Sequence, residues 1–511
     1  MASQTSGQGP SVIIIGTGFG GLCMAIQLKE AGFDQFTLLE KASDVGGTWR
    51  DNTYPGAACD VQSHFYSFSF EPKHDWSRKF GLQPEILEYM QSCVEKYRLG
   101  GHIRFDQEVR TARFNEATNQ WRVETQNNEV YHANVVVTAT GQLNQPAWPR
   151  IQGLDTFQGK LFHSARWDHH YPLEGKKVAV IGTGASAIQF VPEIVPRVQS
   201  LSLFQRSAAW VLPKPDRPFR KWEQTLFRKL PVWDRIYRFL IYWKNESRAL
   251  AFTRFNSLLN IFAWQAKRFA GSEVSNPKKR RDMIPDYQIG CKRILISNDW
   301  YKAVDQDHVN LVTQGIERVV EDGVLTSDGA LHKADVLILG TGFAASEFLS
   351  PMTILGRDGQ SLNQAWASGA EAYKGITVSG FPNFFMLYGP NTNLAHNSIV
   401  FMIESQVRYV MSCIRRLQAQ PGVAMDVKPQ RLERFASKVQ QRLATSVWES
   451  GCQSWYLDEN GKNTINWPGF TFTYRRETLG VDPGDFRFLS PKEDLPAKNG
   501  LTTKDAVEER C

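Results

Sequence analysis

The sequence predicts an α/β protein with two Rossmann-like dinucleotide-binding domains and a helical insertion in the second. Three observations predict it. A strand, a Gly-rich turn, a helix and a second strand follow one another near the N-terminus. The same order recurs in mid-chain, and the spacing from the first glycine to the residue closing the second strand is 24 in both units (16 to 40, 182 to 206). Between the second unit's two parts, the hydrophobic period changes from that of strands to that of helices.

In the first unit, Ser11–Ile15 is a short apolar run rich in β-branched residues. Gly16-Thr-Gly18-Phe-Gly20-Gly21 makes the turn, LCMAIQLKEAG has helical spacing, and Phe36–Leu39 ends at Glu40. In the second, Lys177–Ile181 precedes Gly182-Thr183-Gly184-Ala-Ser-Ala187, the helix AIQFVPEIV and the strand Ser200–Phe204, which ends near Arg206. Glycines here allow a tight turn and close approach of backbone to a pyrophosphate at a helix N-terminus. Two more strand runs end in glycine, at Gly141 and at Gly342. From about Pro218 to Ala270, Trp233, Ile236, Tyr237, Leu240 and Ile241 recur at helical spacing, with Arg235, Arg238 and Lys244 between them.

The closing residues separate the two sites. Glu40 suits a ribose diol and repels a 2′-phosphate; Arg206 attracts one. The first site therefore reads as an FAD site and the second as an NADPH site. The expected domains are 1–145 with 376–490 for FAD, 146–215 with 287–375 for NADP, 216–286 for the helical insertion, and 491–511 as a flexible tail.

Composition bounds the reading. With 511 residues, 42% hydrophobic and 22% charged, the chain has material for a large core, so disorder, collagen and a disulfide scaffold are excluded. Seven cysteines include no CxxC pair, which removes zinc and dithiol motifs and favours a reducing compartment; no metal is expected. The N-terminus has no basic-then-apolar leader, so the expectation is a soluble cytoplasmic protein, monomeric or weakly oligomeric. Net charge is +7, yet Lys214 to Asp286 alone carries 17 basic against 7 acidic residues. The excess belongs to the insertion, which argues against nucleic-acid binding by the whole protein. That insertion reads as a subdomain packed on the core with a solvated basic face. Lining a hydrophobic channel, or contact with an anionic membrane, is the alternative.

A flavin with a reduced nicotinamide makes a reductase, an oxidase or a monooxygenase. Without paired cysteines a disulfide reductase is disfavoured. The segment Phe157-Gln-Gly159-Lys-Leu-Phe-His163-Ser-Ala-Arg-Trp167-Asp168 resembles, at every specified position, the FxGxxxHxxxW(P/D) fingerprint of type I Baeyer–Villiger monooxygenases, class B flavoprotein monooxygenases. Gly46-Gly47-Thr48-Trp49 through Tyr54-Pro-Gly56 to Cys59-Asp60 is similar to that family's flavin-proximal stretch. Cys291-Lys292-Arg293 resembles the segment of its essential arginine, and Trp455 with Gly461-Lys462 its late cofactor and substrate loop.

The resemblance implies oxidation of ketones, with a lean to linear aliphatic ones, to esters or lactones by NADPH and O2 through a flavin C4a-peroxide. Arg293 would stabilise the anion, since an arginine does not surrender its proton, and Asp60 would orient it. Lys292 would join Arg206 at the 2′-phosphate. Gly47, Thr48 and Trp49 would approach the flavin, with Asn391 a further contact by position. The fingerprint would sit on an interdomain linker, and His163 and Trp167 would coordinate domain motion rather than act as acid or base. A sulfur- or nitrogen-oxidising flavin monooxygenase and a silent redox sensor are the competing readings.

Overall fold

Four β-branched residues, Val12–Ile15, form strand β1, buried on both faces as a central parallel strand must be. The structure, a computed structural model, describes residues 9–452 and 454–492. From β1 the chain turns into helix α1 (Phe19–Glu30) and strand β2 (Phe36–Leu39). Short α2 (Thr48–Asp51), α3 (Gln83–Lys96) and β3 (Ile103–Arg104) follow. An antiparallel set, β4 (Val109–Asn115), β5 (Gln120–Thr125) and β6 (Val130–Ala133), leads to β7 (Val135–Thr138).

The second unit holds β8 (Lys160–His163), β9 (Lys177–Ile181), α4 (Ala187–Ile194) and β10 (Ser200–Phe204). Strands β11 (Val211–Leu212) and β12 (Leu295–Ile296) pair as a neck. Between them lie α5 (Lys221–Lys229), α6 (Pro231–Glu246), α7 (Ala249–Thr253), α8 (Leu259–Glu273) and α9 (Pro277–Asp282). Then come α10 (Trp300–Asp305), β13 (Val309–Val312), the meander β14 (Ile316–Val320), β15 (Gly323–Thr326) and β16 (Leu331–Lys333), and β17 (Val336–Leu339). The chain closes with β18 (Thr353–Leu355), α11 (Leu362–Ala365), β19 (Phe384–Met386), α12 (Ile399–Gln418), β20 (Ala424–Val427), α13 (Pro429–Leu443), α14 (Thr471–Glu477) and β21 (Phe486–Leu489).

Two five-stranded parallel sheets result, ordered β19-β7-β1-β2-β3 and β13-β10-β9-β17-β8. Each has a central strand running into a Gly turn. On one side stands the strand that follows the helix; on the other stands a strand ending in Ala139–Gly141 or Gly340–Gly342. Ligands bind where such parallel strands end, so the topology aims both turns at one kind of crevice. Helix α1 is apolar nearly all round because it is covered by its sheet and by α12.

Three expectations change. Strand β18 already pairs with β4, so the chain returns to the first unit near 353, not 376; a three-residue strand carries too little periodicity to be read from sequence. The fingerprint is not a free linker: its β8 is an edge strand of the second sheet. The insertion's exposed face is not simply basic, since α6 turns apolar residues outward. The tail expected from 491 lies almost wholly outside the described residues.

Candidate active site

Gly16 (φ 103°) cannot carry a side chain, because a Cβ would sit 2.8 Å from the Ala139 carbonyl oxygen. Gly21 is tighter still: a Cβ would lie 1.9 Å from the Gly16 oxygen, so helix and turn meet backbone to backbone. Gly18, the N-cap of α1, faces open space and has no capping side chain. The amides of that first turn are therefore left for an anion. Gly47 (φ 52°) packs on this turn, where its Cβ would be 3.2 Å from Gly18 Cα. Thr48 and Trp49 follow at the start of α2, and Trp49 Nε1 donates to the Tyr66 hydroxyl at 3.3 Å.

Glu40 closes β2, buried, but its carboxylate is fully engaged within the protein. It accepts from the Thr17 amide (3.0 Å) and hydroxyl (2.6 Å), the Ala42 amide (3.1 Å) and Arg50 Nη1 (2.9 Å). Gly141 (φ 70°) ends the third strand's turn, with open space where a Cβ would go.

The second turn repeats the device. A Cβ on Gly182 would lie 2.4 Å from the Gly340 oxygen, while Gly184 again faces open space. The third position here is Ala187, fully buried, and Thr183 donates to the Ser207 carbonyl at 3.4 Å. Arg206 is exposed and, among the described residues, makes no ion pair. Lys292 donates to Ser207 Oγ at 3.0 Å and lies over the Tyr287 ring. Burial and then the charge of Arg206 push its ammonium below the usual lysine range. Two cations held close with no carboxylate bonded to either form a seat for an anion.

The next residue, Arg293, turns to the first unit. Its Nη2 and Nε both donate to Asp60 Oδ2, at 2.5 and 3.1 Å. Protein surrounds the pair, yet the side chains keep 31% and 35% of their surface open, as residues lining a cleft do. Burial would raise the Asp60 carboxyl; the charge and hydrogen bonds of Arg293, with Lys214 behind it, outweigh that and hold it below the ordinary range. Asp60 in turn raises the guanidinium above its already high value. Three phenols and an ammonium that sequence reasoning passed over share this environment. Tyr66, Tyr388 and Tyr456 all feel the charge of Asp60, and burial raises each hydroxyl, that of Tyr456 to about 12. The Tyr456 hydroxyl is buried with no partner among the described residues. Nothing in their local spacing marks these phenols; the sequence signal was limited to Tyr456 following Trp455, whose rings lie 4.5 Å apart.

A disulfide joins Cys291 to Cys452 across 161 residues, tying the Arg293 segment to the Trp455 loop. This corrects the reading of the cysteines as unpaired: chain spacing finds CxxC motifs but says nothing of partners brought together by the fold. Asn391 (φ 55°) spends its side-chain amide on the Asn463 and Asn466 carbonyls, at 2.9 and 3.2 Å, so it fastens that loop.

The fingerprint packs rather than reacts. Phe157 is core, and Gly159 has no room for a Cβ, which would meet the Asp335 oxygen at 2.4 Å. His163 is buried, accepts from the Ala165 amide at 3.0 Å, and is lowered by burial to about 4, so it is neutral. Trp167 packs on Phe162 and on Phe190 of α4, and Asp168 pairs with Lys160. The stretch before Asp60 reaches the same helix: Tyr54 donates to Gln189 at 2.9 Å and a Cβ on Gly56 would touch the Gln189 carbonyl. Helix α4 is thus clamped between the fingerprint and the Asp60 segment.

Two Rossmann-like units with an ion pair strung between them define a two-nucleotide oxidoreductase. Residues 13–219 match the family described as pyridine nucleotide-disulphide oxidoreductase. A Baeyer–Villiger monooxygenase of Pseudomonas aeruginosa is 46% identical, covering 94% of this chain and 91% of its own. One of Streptomyces coelicolor is 44% identical, over 97% and 95%. The solved structure of OTEMO in complex with FAD and NADP superposes with a TM-score of 0.85 at 27% identity, over 94% of this chain and 99% of that one. The chain belongs to the Baeyer–Villiger monooxygenase family and is a flavoprotein monooxygenase.

Proposed function

We propose that this chain binds FAD at the first turn and NADPH at the second, and converts open-chain aliphatic ketones and O2 to esters. The observation that carries the reading is the Arg293–Asp60 ion pair between the two turns. The cradle fits the nucleotides: Gly18 and Gly184 leave open the positions that a pyrophosphate needs, and Gly47 folds against the first. Arg206 and Lys292 would hold the 2′-phosphate, relieving the repulsion between them. Glu40 would accept from a ribose diol on the oxygens that now accept from Thr17 and Arg50.

When bound and reduced, the flavin supplies activated oxygen; one atom of O2 enters the ester, the other leaves as water, and NADPH provides two electrons. Arg293 would face the negative charge that oxygen transfer to a carbonyl develops in the site. Because Asp60 raises its pKa, Arg293 keeps its protons throughout and stabilises the anion without quenching it. Asp60 fixes the guanidinium through one oxygen, Oδ2, which accepts from both Nε and Nη2. Tyr66, Tyr388 and Tyr456, protonated at working pH, add apolar walls that exclude water.

The test is a panel of linear, cyclic and aryl ketones given to the yellow enzyme with NADPH and air, read by mass spectrometry. Gain of one oxygen as ester, greatest for linear ketones, is expected. Hydrogen peroxide alone, or only S- and N-oxides, would overturn the reading.

A further inference from the structure

Helix α6 is built inside out. Three of its four buried positions are polar, Asp234, Asn245 and Glu246, and the fourth is Ile241. Asn245 donates to Gln62 at 3.2 Å, and Glu246 accepts from Asn397 (2.5 Å) and from the amide and hydroxyl of Thr471 (2.5 and 2.7 Å). Arg238 turns inward too, donating to the carbonyls of His64 (2.6 Å) and Ser67 (3.1 Å). These bonds fix which face of the helix looks in.

The face looking out is apolar. Val232, Trp233, Ile236, Phe239, Leu240 and Trp243 recur every three to four residues, with Phe239 and Leu240 each 58% exposed. At 1.5 Å per residue the stripe runs about 17 Å. Phe472 extends it, its ring 6.2 Å from that of Trp243. None of the described residues covers it. A solvated helix would reverse this arrangement, and exposed apolar runs of this kind mark an interaction surface.

Charge selects the partner. Both carboxylates of α6, Asp234 and Glu246, are buried, so every exposed charge on it is basic: Arg235 and Lys244, led in by Arg228 and Lys229 of α5. A second copy joined by a two-fold axis would set this basic rim against itself. A neutral apolar partner would leave the cations unused. No helix among the described residues is long and apolar enough to cross a membrane. We infer that α6 lies in the surface of an anionic phospholipid bilayer, with Phe239, Leu240 and Trp243 among the acyl chains and Arg235 and Lys244 at the headgroups.

The experiment is flotation of the holoenzyme with vesicles of phosphatidylcholine carrying phosphatidylglycerol, against phosphatidylcholine alone. Binding to the anionic vesicles is expected, weakened by salt. The double variant Leu240→Ser/Trp243→Ser should lose binding at least about tenfold, since buried apolar area sets interfacial affinity. The variant Arg235→Gln/Lys244→Gln should lose about fivefold per cation, and only on the charged vesicles. Retained flavin absorbance and NADPH oxidation show each variant folded; should the apolar variant lose flavin, the charge variant carries the test. Absence of wild-type binding, or equal binding by wild type and variants, overturns the inference. A dimer on gel filtration that the apolar variant dissolves, without vesicle binding, assigns the face to a second copy and overturns it equally.

Discussion

The two nucleotide units share a backbone and differ in what their charged residue is free to do. In both, a glycine with positive φ presses on the neighbouring strand's turn, at Ala139 or Gly340, and a second glycine faces open space. At the end of the second strand the likeness stops. Glu40 is buried and bonded on both oxygens by its own protein, whereas Arg206 stands exposed and unpaired among the described residues, beside Lys292. The first unit is a closed structure that shapes a cradle; the second keeps a cationic seat open. The FAD and NADPH proposed for the two units would use that division.

The two turns should differ most in what their third position tolerates. Gly21→Ala should drive a Cβ into the Gly16 carbonyl, costing about 3 kcal/mol of stability and yielding protein without flavin by absorbance. Its counterpart Ala187→Gly should cost only about 1 kcal/mol in thermal unfolding and leave flavin in place.

At the seat itself, Arg206→Ala should raise the KM for NADPH about 10- to 100-fold by loss of a charge-assisted bond, with the KM for NADH little changed. Steady-state kinetics with both nucleotides check it; equal effects on both would remove the 2′-phosphate assignment. The finest effect is in pH. Lys292 sits below the ordinary lysine range, so its charge is lost, as pH rises, earlier than in a free lysine. The KM for NADPH should therefore climb on the alkaline side. In Arg206→Ala a like charge is gone, and the onset of that climb should move to higher pH.

Local chemistry was legible in the sequence wherever one segment does the work. The turns at Gly16 and Gly182, and the residue types at 40 and 206, follow from spacing and charge alone. The fingerprint from Phe157 to Asp168 was legible as a pattern but not as packing: that His163 is a neutral buried ring and Trp167 a wedge on α4 depends on elements far along the chain. Long-range partners escaped for the same reason. Cys291 meets Cys452, Tyr388 and Tyr456 reach the Arg293 pocket, and Glu246 of the insertion is bonded to Thr471, each through tertiary folding. Helix α6 shows the limit most plainly. Its period was readable, but which face points outward was decided by Arg238, Asn245 and Glu246 finding buried partners.

The role proposed for Arg293 is to stabilise charge in oxygen transfer, not to bind or reduce the flavin. Stopped-flow reduction and product analysis on Arg293→Ala test it most directly. NADPH should bleach the flavin at close to the wild-type rate, while ester yield falls by at least about 1000-fold, the upper range for loss of one stabilising donor in a dry site. Undiminished ester from this variant, or a flavin that NADPH can no longer reduce, would contradict it.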